Sequence, residues 1–235
     1  MTGSVLARMF VVRHGETDSN SNGIIQGQLD TQLNATGLAQ AAITAEALRH
    51  VCFDKAFTSD LQRASKTAER ILQYHSGAEL VQDSALRERF MGEMQGKKGP
   101  VNTKGLSSIE TNEALVQRCI TWYNRAIVTY ISSSITNSDI SEGRCRNILV
   151  VSHGAFIATL FRTMISSNDV TCPAELKLRR LPTLGNTSIS VVEYRAVSRA
   201  KHREVDVVVL KYGDIDHLRG LSVMEENADV EANRL

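Results

Sequence analysis

Two apolar runs, each long enough for a buried strand and each ending in a histidine followed by glycine, constrain this chain more than any other feature. Met9-Phe10-Val11-Val12 leads into Arg13-His14-Gly15, and Asn147-Ile148-Leu149-Val150-Val151 leads into Ser152-His153-Gly154. Apolar residues without polar alternation predict strands covered on both faces, as in a parallel sheet between helices. The intervening segments agree. Leu38, Ala41, Ala45 and Leu48 share one face of a helix predicted from Thr36 to about Arg49. Residues 54–58 predict a second strand, Ser59-Asp60 a cap for a helix reaching about Tyr74, and Leu80-Val81 a short third strand. A long helix is predicted over residues 108–133, with Val116, Ile120, Tyr123, Ile127 and Ile131 toward the core. A helix over 155–165 follows the second histidine, and β-like runs at 188–194 and 204–212 complete the pattern. Strands alternating with helices predict an α/β three-layer sandwich, a mostly parallel central sheet with helices on both faces.

No repeat or linker divides the chain, so residues 1–223 are expected to form one domain. Gly92, Gly96, Gly99, Pro100 and Gly105 mark a short lid-like insertion at about 92–112. Residues 136–144 are polar, and the acidic tail 224–235 is expected to be disordered. The formal net charge of +1 gives no bulk electrostatic case for nucleic acid or an anionic membrane. No secretory signal or bilayer-length apolar run is evident. Cys52, Cys119, Cys145 and Cys172 are widely spaced with no CxxC pair, which suits reduced thiols in the cytoplasm, with the nucleus also open, and offers no zinc site. Either a monomer or a homodimer is compatible with this composition.

Ligands of open α/β sheets bind at the carboxyl ends of the strands, which is where His14 and His153 fall. Arg13 abuts His14, and Arg63 lies in the first turn of the helix after the second strand. Guanidinium forks match phosphate oxygens bidentately and keep their charge. Opposite unit charges about 4 Å apart attract by roughly 4 kcal/mol at an effective dielectric of about 20. Two arginines and a protonated histidine can therefore hold a phosphoryl group without a metal ion. A neutral His14 imidazole would attack phosphorus in line, while protonated His153 and the arginines stabilise the equatorial oxygens. Glu88, in Leu86-Arg87-Glu88-Arg89, is the candidate to protonate the leaving oxygen and then activate water. Glu16, Asp18 and Glu93 are nearby carboxylates that compete for that role.

These residues resemble branch 1 of the histidine phosphatase superfamily, the phosphoglycerate-mutase-like proteins. Arg13-His14-Gly15-Glu16-Thr17 is similar to its signature. Asn20 with Gln26-Gly27, Ser59-Asp60-Leu61-Gln62-Arg63-Ala64, Glu88-Arg89-Phe90-Met91-Gly92 with Gln95-Gly96, and Ser152-His153-Gly154 resemble its further motifs in order. The likeness spans roughly Phe10 to Tyr194 and is nearest to small fungal broad-specificity phosphatases. It implies a phosphohistidine at His14, a phosphate pocket of His153, Arg13 and Arg63, a proton donor at Glu88, and substrate contacts from Asn20, Gln26, Gly27 and Gly154. It implies a small phosphorylated substrate and no cofactor. Mutases of this type carry a longer, basic insertion between the acid and the second histidine. The short glycine-rich segment here favours a phosphatase, with Lys97, Lys98 and Lys104 placed to recruit anions. Phosphoglycerate mutase and fructose-2,6-bisphosphatase are the near alternatives, and a non-catalytic phospholigand-binding protein the distant one. Trp122 and Tyr123 read as core residues. His50, His75, His202 and His217 match no motif.

Overall fold

The long central strand β1 (Val5–Arg13) organises the sheet. In the computed structural model, residues 4–99, 108–134, 144–167, 170–173, 181–197 and 205–219 are described. After β1 come the short α1 (Asp18–Ser21), α2 (Ala35–Leu48), β2 (Phe53–Thr58), α3 (Gln62–Leu72) and β3 (Glu79–Gln82). Next are α4 (Asn112–Tyr123), a π turn (Asn124–Val128), α5 (Thr129–Ser134), β4 (Arg146–Ser152) and α6 (Gly154–Ser166). The strands β5 (Val170–Thr171), β6 (Ile189–Ala196) and β7 (Val205–Asp214) follow. The order across the sheet is β3-β2-β4-β1-β6-β7-β5. The four strands from β3 to β1 run parallel, β6 runs antiparallel between β1 and β7, and β5 pairs parallel to β7. The fold is thus the expected α/β sandwich with a mostly parallel sheet.

Alternation along the central strands divides the core into two layers. Ala7, Met9 and Val11 of β1 and Ile148 and Val150 of β4 face α4 and α6, where they meet Leu115, Cys119, Trp122, Phe156 and Leu160. Val12 of β1 and Leu149 and Val151 of β4 face α2 and α3, against Ala45, Leu48, Ala64, Ala68 and Ile71. Trp122 is a core residue, edge-on to both Phe57 and Phe156. Burying such a side chain is worth at least about 1.5–3 kcal/mol.

Three local expectations are corrected. Leu38, grouped with Ala41, Ala45 and Leu48 on one face of α2, is exposed while the other three are buried. Ser59 and Asp60 do not cap α3, whose N-cap position is Leu61 without a side-chain bond. Asp30, from another loop, accepts the Gln62 N–H instead at 2.7 Å, while Asp60 forms a two-pronged ion pair with Arg87. The long helix starts later, at Asn112 behind the N-cap Thr111, and its fully buried residues before the π turn are Leu115, Cys119 and Trp122 rather than Val116 and Ile120, while half-buried Tyr123 packs against the core as expected, its hydroxyl 2.9 Å from that of Tyr194. The π turn inserts one extra residue, rotating the face so that Ile127 and Ile131 become buried as expected. Regular 3.6-residue counting cannot see such an insertion.

The expectations for Lys104, Glu204, the central part of the 92–112 insertion, most of 136–144 and the tail 224–235 fall outside the described residues.

Candidate active site

Register brings the two histidines together. In the β1–β4 pair Arg13 lies opposite Ser152, so His14 and His153 leave neighbouring parallel strands at the same level. Their ring centroids are 5.1 Å apart. The His14 N–H donates to the Ser152 carbonyl at 3.0 Å. His14 Nδ1 lies 2.7 Å from the Gly15 carbonyl oxygen, which can only accept, so Nδ1 carries the hydrogen. The lone pair is therefore on Nε2. His153 occupies the N-cap position of α6 but makes no capping bond. Its ring is fully buried, and neither ring nitrogen has a hydrogen-bond partner among the described residues. An unsatisfied buried imidazole calls for an explanation, and a ligand between the two rings supplies one.

Both arginines are buried beside the rings. Arg13 Nη1 donates to the Leu184 carbonyl at 2.7 Å. Arg63 donates from Nη2 to the Gly27 carbonyl at 2.8 Å and from Nη1 to that of Leu29 at 2.6 Å. Glu88 is buried, and both carboxylate oxygens accept the Ala155 N–H at 3.1 Å, in the first turn of α6 next to His153 and Gly154. Its Oε1 also accepts the Arg89 N–H at 2.7 Å. The competing carboxylates are engaged or exposed: buried Glu16 accepts from Asn34, and Asp18 and Glu93 are exposed. Arg87 and Arg89 are not a loose charge cluster around Glu88, because Arg87 is tied to Asp60 and Arg89 Nε donates to the Glu110 carbonyl.

The motif that follows the signature packs beneath the His14 loop. The Asn20 side-chain oxygen accepts from the Thr17 N–H at 3.2 Å, and Gln26 Oε1 lies 2.9 Å from the Thr17 hydroxyl and 2.5 Å from that of Thr31. Gly27 has φ of +50°, and a Cβ there would lie 2.5 Å from Gln95 Oε1. Gly154 begins α6 and is buried. Lys97 and Lys98 are exposed on the described part of the insertion.

Burial, then the positive charges of Arg63 and Arg13, holds the His14 imidazole well below the ordinary histidine value, against the opposing Gly15 hydrogen bond. His153 is lowered likewise, by burial first and then by Arg63, His14, Arg13 and Arg118. Both rings are thus held toward the neutral form in the free site, where the sequence reading expects a protonated His153. The consequence for stability has a definite sign. Unfolded histidine binds its proton near pH 6.5, whereas these folded rings bind theirs at lower pH. Between those values the unfolded state carries more protons, so stability should fall as pH drops through about 6.5. Melting curves between pH 7.5 and 5 should show this decline, and His153→Asn should flatten it. An equally steep decline in the variant would refute the assignment.

The sequence and the fold match known proteins. A family model for the histidine phosphatase superfamily (branch 1) matches residues 9–206. The chain belongs to this superfamily. It is therefore a hydrolase of the phosphatase type. Fructose-2,6-bisphosphatase TIGAR B of Danio rerio is 33% identical over 220 residues, covering 77% of this chain and 84% of the relative. A broad-specificity phosphatase of Saccharomyces cerevisiae is 28% identical over 229 residues, covering 91% and 88%. The crystal structure of phosphoglycerate mutase from Bacillus anthracis superposes with a TM-score of 0.66 at 24% identity, covering 92% of this chain and 96% of that one, a likeness of fold.

Several residues that hold the site of this histidine phosphatase together carry no motif of their own. Thr67 Oγ1 accepts the Gly15 N–H at 3.0 Å, and Gln40 Oε1 accepts the Glu16 N–H at 2.9 Å. Gly37 lets the start of α2 lie against the signature loop, since a Cβ there would sit 2.0 Å from the Glu16 carbonyl oxygen. Asn186 Nδ2 and the Thr187 N–H both donate to the His14 carbonyl, at 3.0 and 3.2 Å. Thr187 adopts φ of +52°, strained for a β-branched residue. The turn-forming pair Gly185-Asn186 was the only local sign of this loop. Its contact with His14 arises from pairing between strands remote in sequence.

Proposed function

We propose that this histidine phosphatase hydrolyses small phosphorylated metabolites through a phosphohistidine on Nε2 of His14, without a metal ion. The observation that carries this reading is the pair of buried imidazoles 5.1 Å apart, one with its lone pair fixed on Nε2, the other with both nitrogens unpartnered among the described residues. In the first step Nε2 bonds to phosphorus as the bond to the leaving oxygen breaks. Arg13, Arg63 and the α6 N-terminus at Gly154 face the phosphoryl oxygens, and His153, protonated under the anion's charge, joins them. Glu88 gives its proton to the leaving oxygen. In the second step water attacks the phosphohistidine, Glu88 takes a proton from it, and His14 departs as the leaving group. Asn20, Gln26 and Gly27 form the floor of the pocket and contact the phosphate.

Residues 1–223 act as one domain with the 92–112 segment as a short lid. A short lid leaves water access to the phosphoenzyme, which favours hydrolysis over transfer back to an isomeric product. All the named groups come from a single chain, so a monomer suffices and a homodimer is compatible. Four cysteines outside any disulfide suit the cytoplasm, with the nucleus also open.

Rapid quenching into base during turnover of an aryl phosphate should trap a base-stable, acid-labile phosphate on His14. Offered 3-phosphoglycerate, the enzyme should release inorganic phosphate faster than it forms the 2-isomer. Dominant isomer formation would make it a mutase. Stoichiometric phosphate binding without turnover on a broad panel of phosphate esters would make it a binding protein.

A further inference from the structure

Residues 85–90, which carry Glu88, lie mostly outside helix and sheet, so side chains must satisfy their backbone groups. Four successive carbonyls are met in this way. Ala85 accepts from Arg118 Nη1 at 2.9 Å, Leu86 from Ser152 Oγ at 2.7 Å, and Arg87 from Arg118 Nη1 at 2.7 Å. Glu88 accepts from Arg118 Nη2 at 3.3 Å and from Gln28 Nε2 at 3.1 Å. One side chain on α4 thus holds three of the four. Its remaining donors go to Glu110, from Nε at 2.9 Å and from Nη2 at 2.6 Å. A guanidinium has five N–H donors, and here each has a protein acceptor, leaving none for a substrate. Glu110 in turn accepts the Phe90 N–H through its side chain and pairs backbone to backbone with Phe90. The guanidinium also lies 5.6 Å from the ring centre of Phe156, two residues after the start of α6. That first turn is the one whose Ala155 N–H grips the Glu88 carboxylate.

We propose that Arg118, fixed by Glu110, is a positioning residue that sets the placement of the Glu88 carboxyl at the leaving oxygen. This rests on Glu88 as the proton donor. The carboxyl is held at the front by α6 and its main chain from behind by Arg118. Without the rear support the carboxyl stays in the site but loses its alignment, and a displacement of about 1 Å can cost about a hundredfold in rate. The loss falls on substrates whose leaving oxygen needs a proton.

The test compares kcat/KM for an alkyl phosphate and for a nitrophenyl phosphate, since this quantity reports the steps up to phosphorylation of His14. Arg118→Met should lose about ten- to a hundredfold on the alkyl ester and only about threefold on the aryl ester. Glu88→Gln should show the same selectivity, and the double variant should be no worse than Glu88→Gln alone. Arg118→Lys, which cannot reproduce the fork, should fall between wild type and Arg118→Met. Equal losses on both esters in Arg118→Met, where Glu88→Gln discriminates, would overturn the brace and leave the acid in place. Losses that multiply in the double variant would also overturn it. A Glu88→Gln enzyme that does not discriminate would remove the acid assignment and the brace with it. Should Arg118→Met fail to fold, Arg118→Lys and Glu110→Gln decide by the same comparison, with unchanged selectivity in both counting against the brace.

Discussion

Replacing His14 by alanine is expected to lower hydrolysis of a nitrophenyl phosphate by at least about a thousandfold while the protein stays folded and still binds inorganic phosphate. The choice of substrate matters. An aryl oxide leaves without much protonation, so a good leaving group relieves the need for Glu88 but not for a nucleophile. In the structure Nε2 of His14 holds the free lone pair, because Nδ1 is committed to the Gly15 carbonyl. His153 offers no ready substitute, since it sits at the head of α6 rather than in the signature loop that Thr67, Gln40 and Asn186 hold in place. Arg13 and Arg63 survive the substitution, so affinity for phosphate should fall far less than turnover. The parallel control is chelation: EDTA should leave wild-type activity unchanged. Activity retained by the His14→Ala protein, or lost by the wild type in EDTA, would remove the phosphohistidine route.

The second large effect concerns Arg63. Arg63→Met should reduce kcat/KM by about a hundred- to a thousandfold, the scale of losing one preorganised charge donor at a developing oxyanion. Two consequences distinguish this from a general loss of structure. The first is electrostatic. Of the two guanidinium charges that depress His14, Arg63 has the larger effect, so removing it should raise the imidazole pKa and move the acid limb of the kcat/KM profile to higher pH. Burial, the leading cause of the depression, remains, so the limb should not reach the ordinary histidine position. The second concerns geometry. Arg63 donates to the carbonyls of Gly27 and Leu29, so it shapes the loop after the signature as well as the anion site. Lysine keeps the charge but not the fork, and Arg63→Lys should restore the pH profile more than the rate. An unmoved acid limb together with a loss below about fivefold would show that Arg63 serves packing alone.

Glu88 and Arg118 show how far a motif can be read without coordinates. Glu88 was legible because it follows the expected pattern, yet Arg87-Glu88-Arg89 also reads as a solvated charge cluster. Packing separated the three. Asp60 takes Arg87, the Glu110 main chain takes Arg89, and Glu88 turns inward to α6. Arg118, which holds the whole segment, sits in a helix whose sequence periodicity points elsewhere. Only the extra residue of the π turn reconciles the buried faces before and after it.

By itself the sequence determined the alternation of strands and helices, the two-sided burial of β1 and β4, and the places of Arg13 and the two histidines at the strand ends, of Arg63 at a helix start and of Glu88 in its motif. These are local properties, written in apolar runs, helical spacing and short motifs. Tertiary structure decided what those residues do to one another. The register that sets Arg13 against Ser152 brings two imidazoles within 5.1 Å. Burial and neighbouring guanidinium groups keep both of them neutral, and carbonyls from remote loops orient the arginines. The reason is physical: strand register, desolvation and hydrogen-bond partners depend on segments far apart along the chain, and no local pattern records which of them will meet.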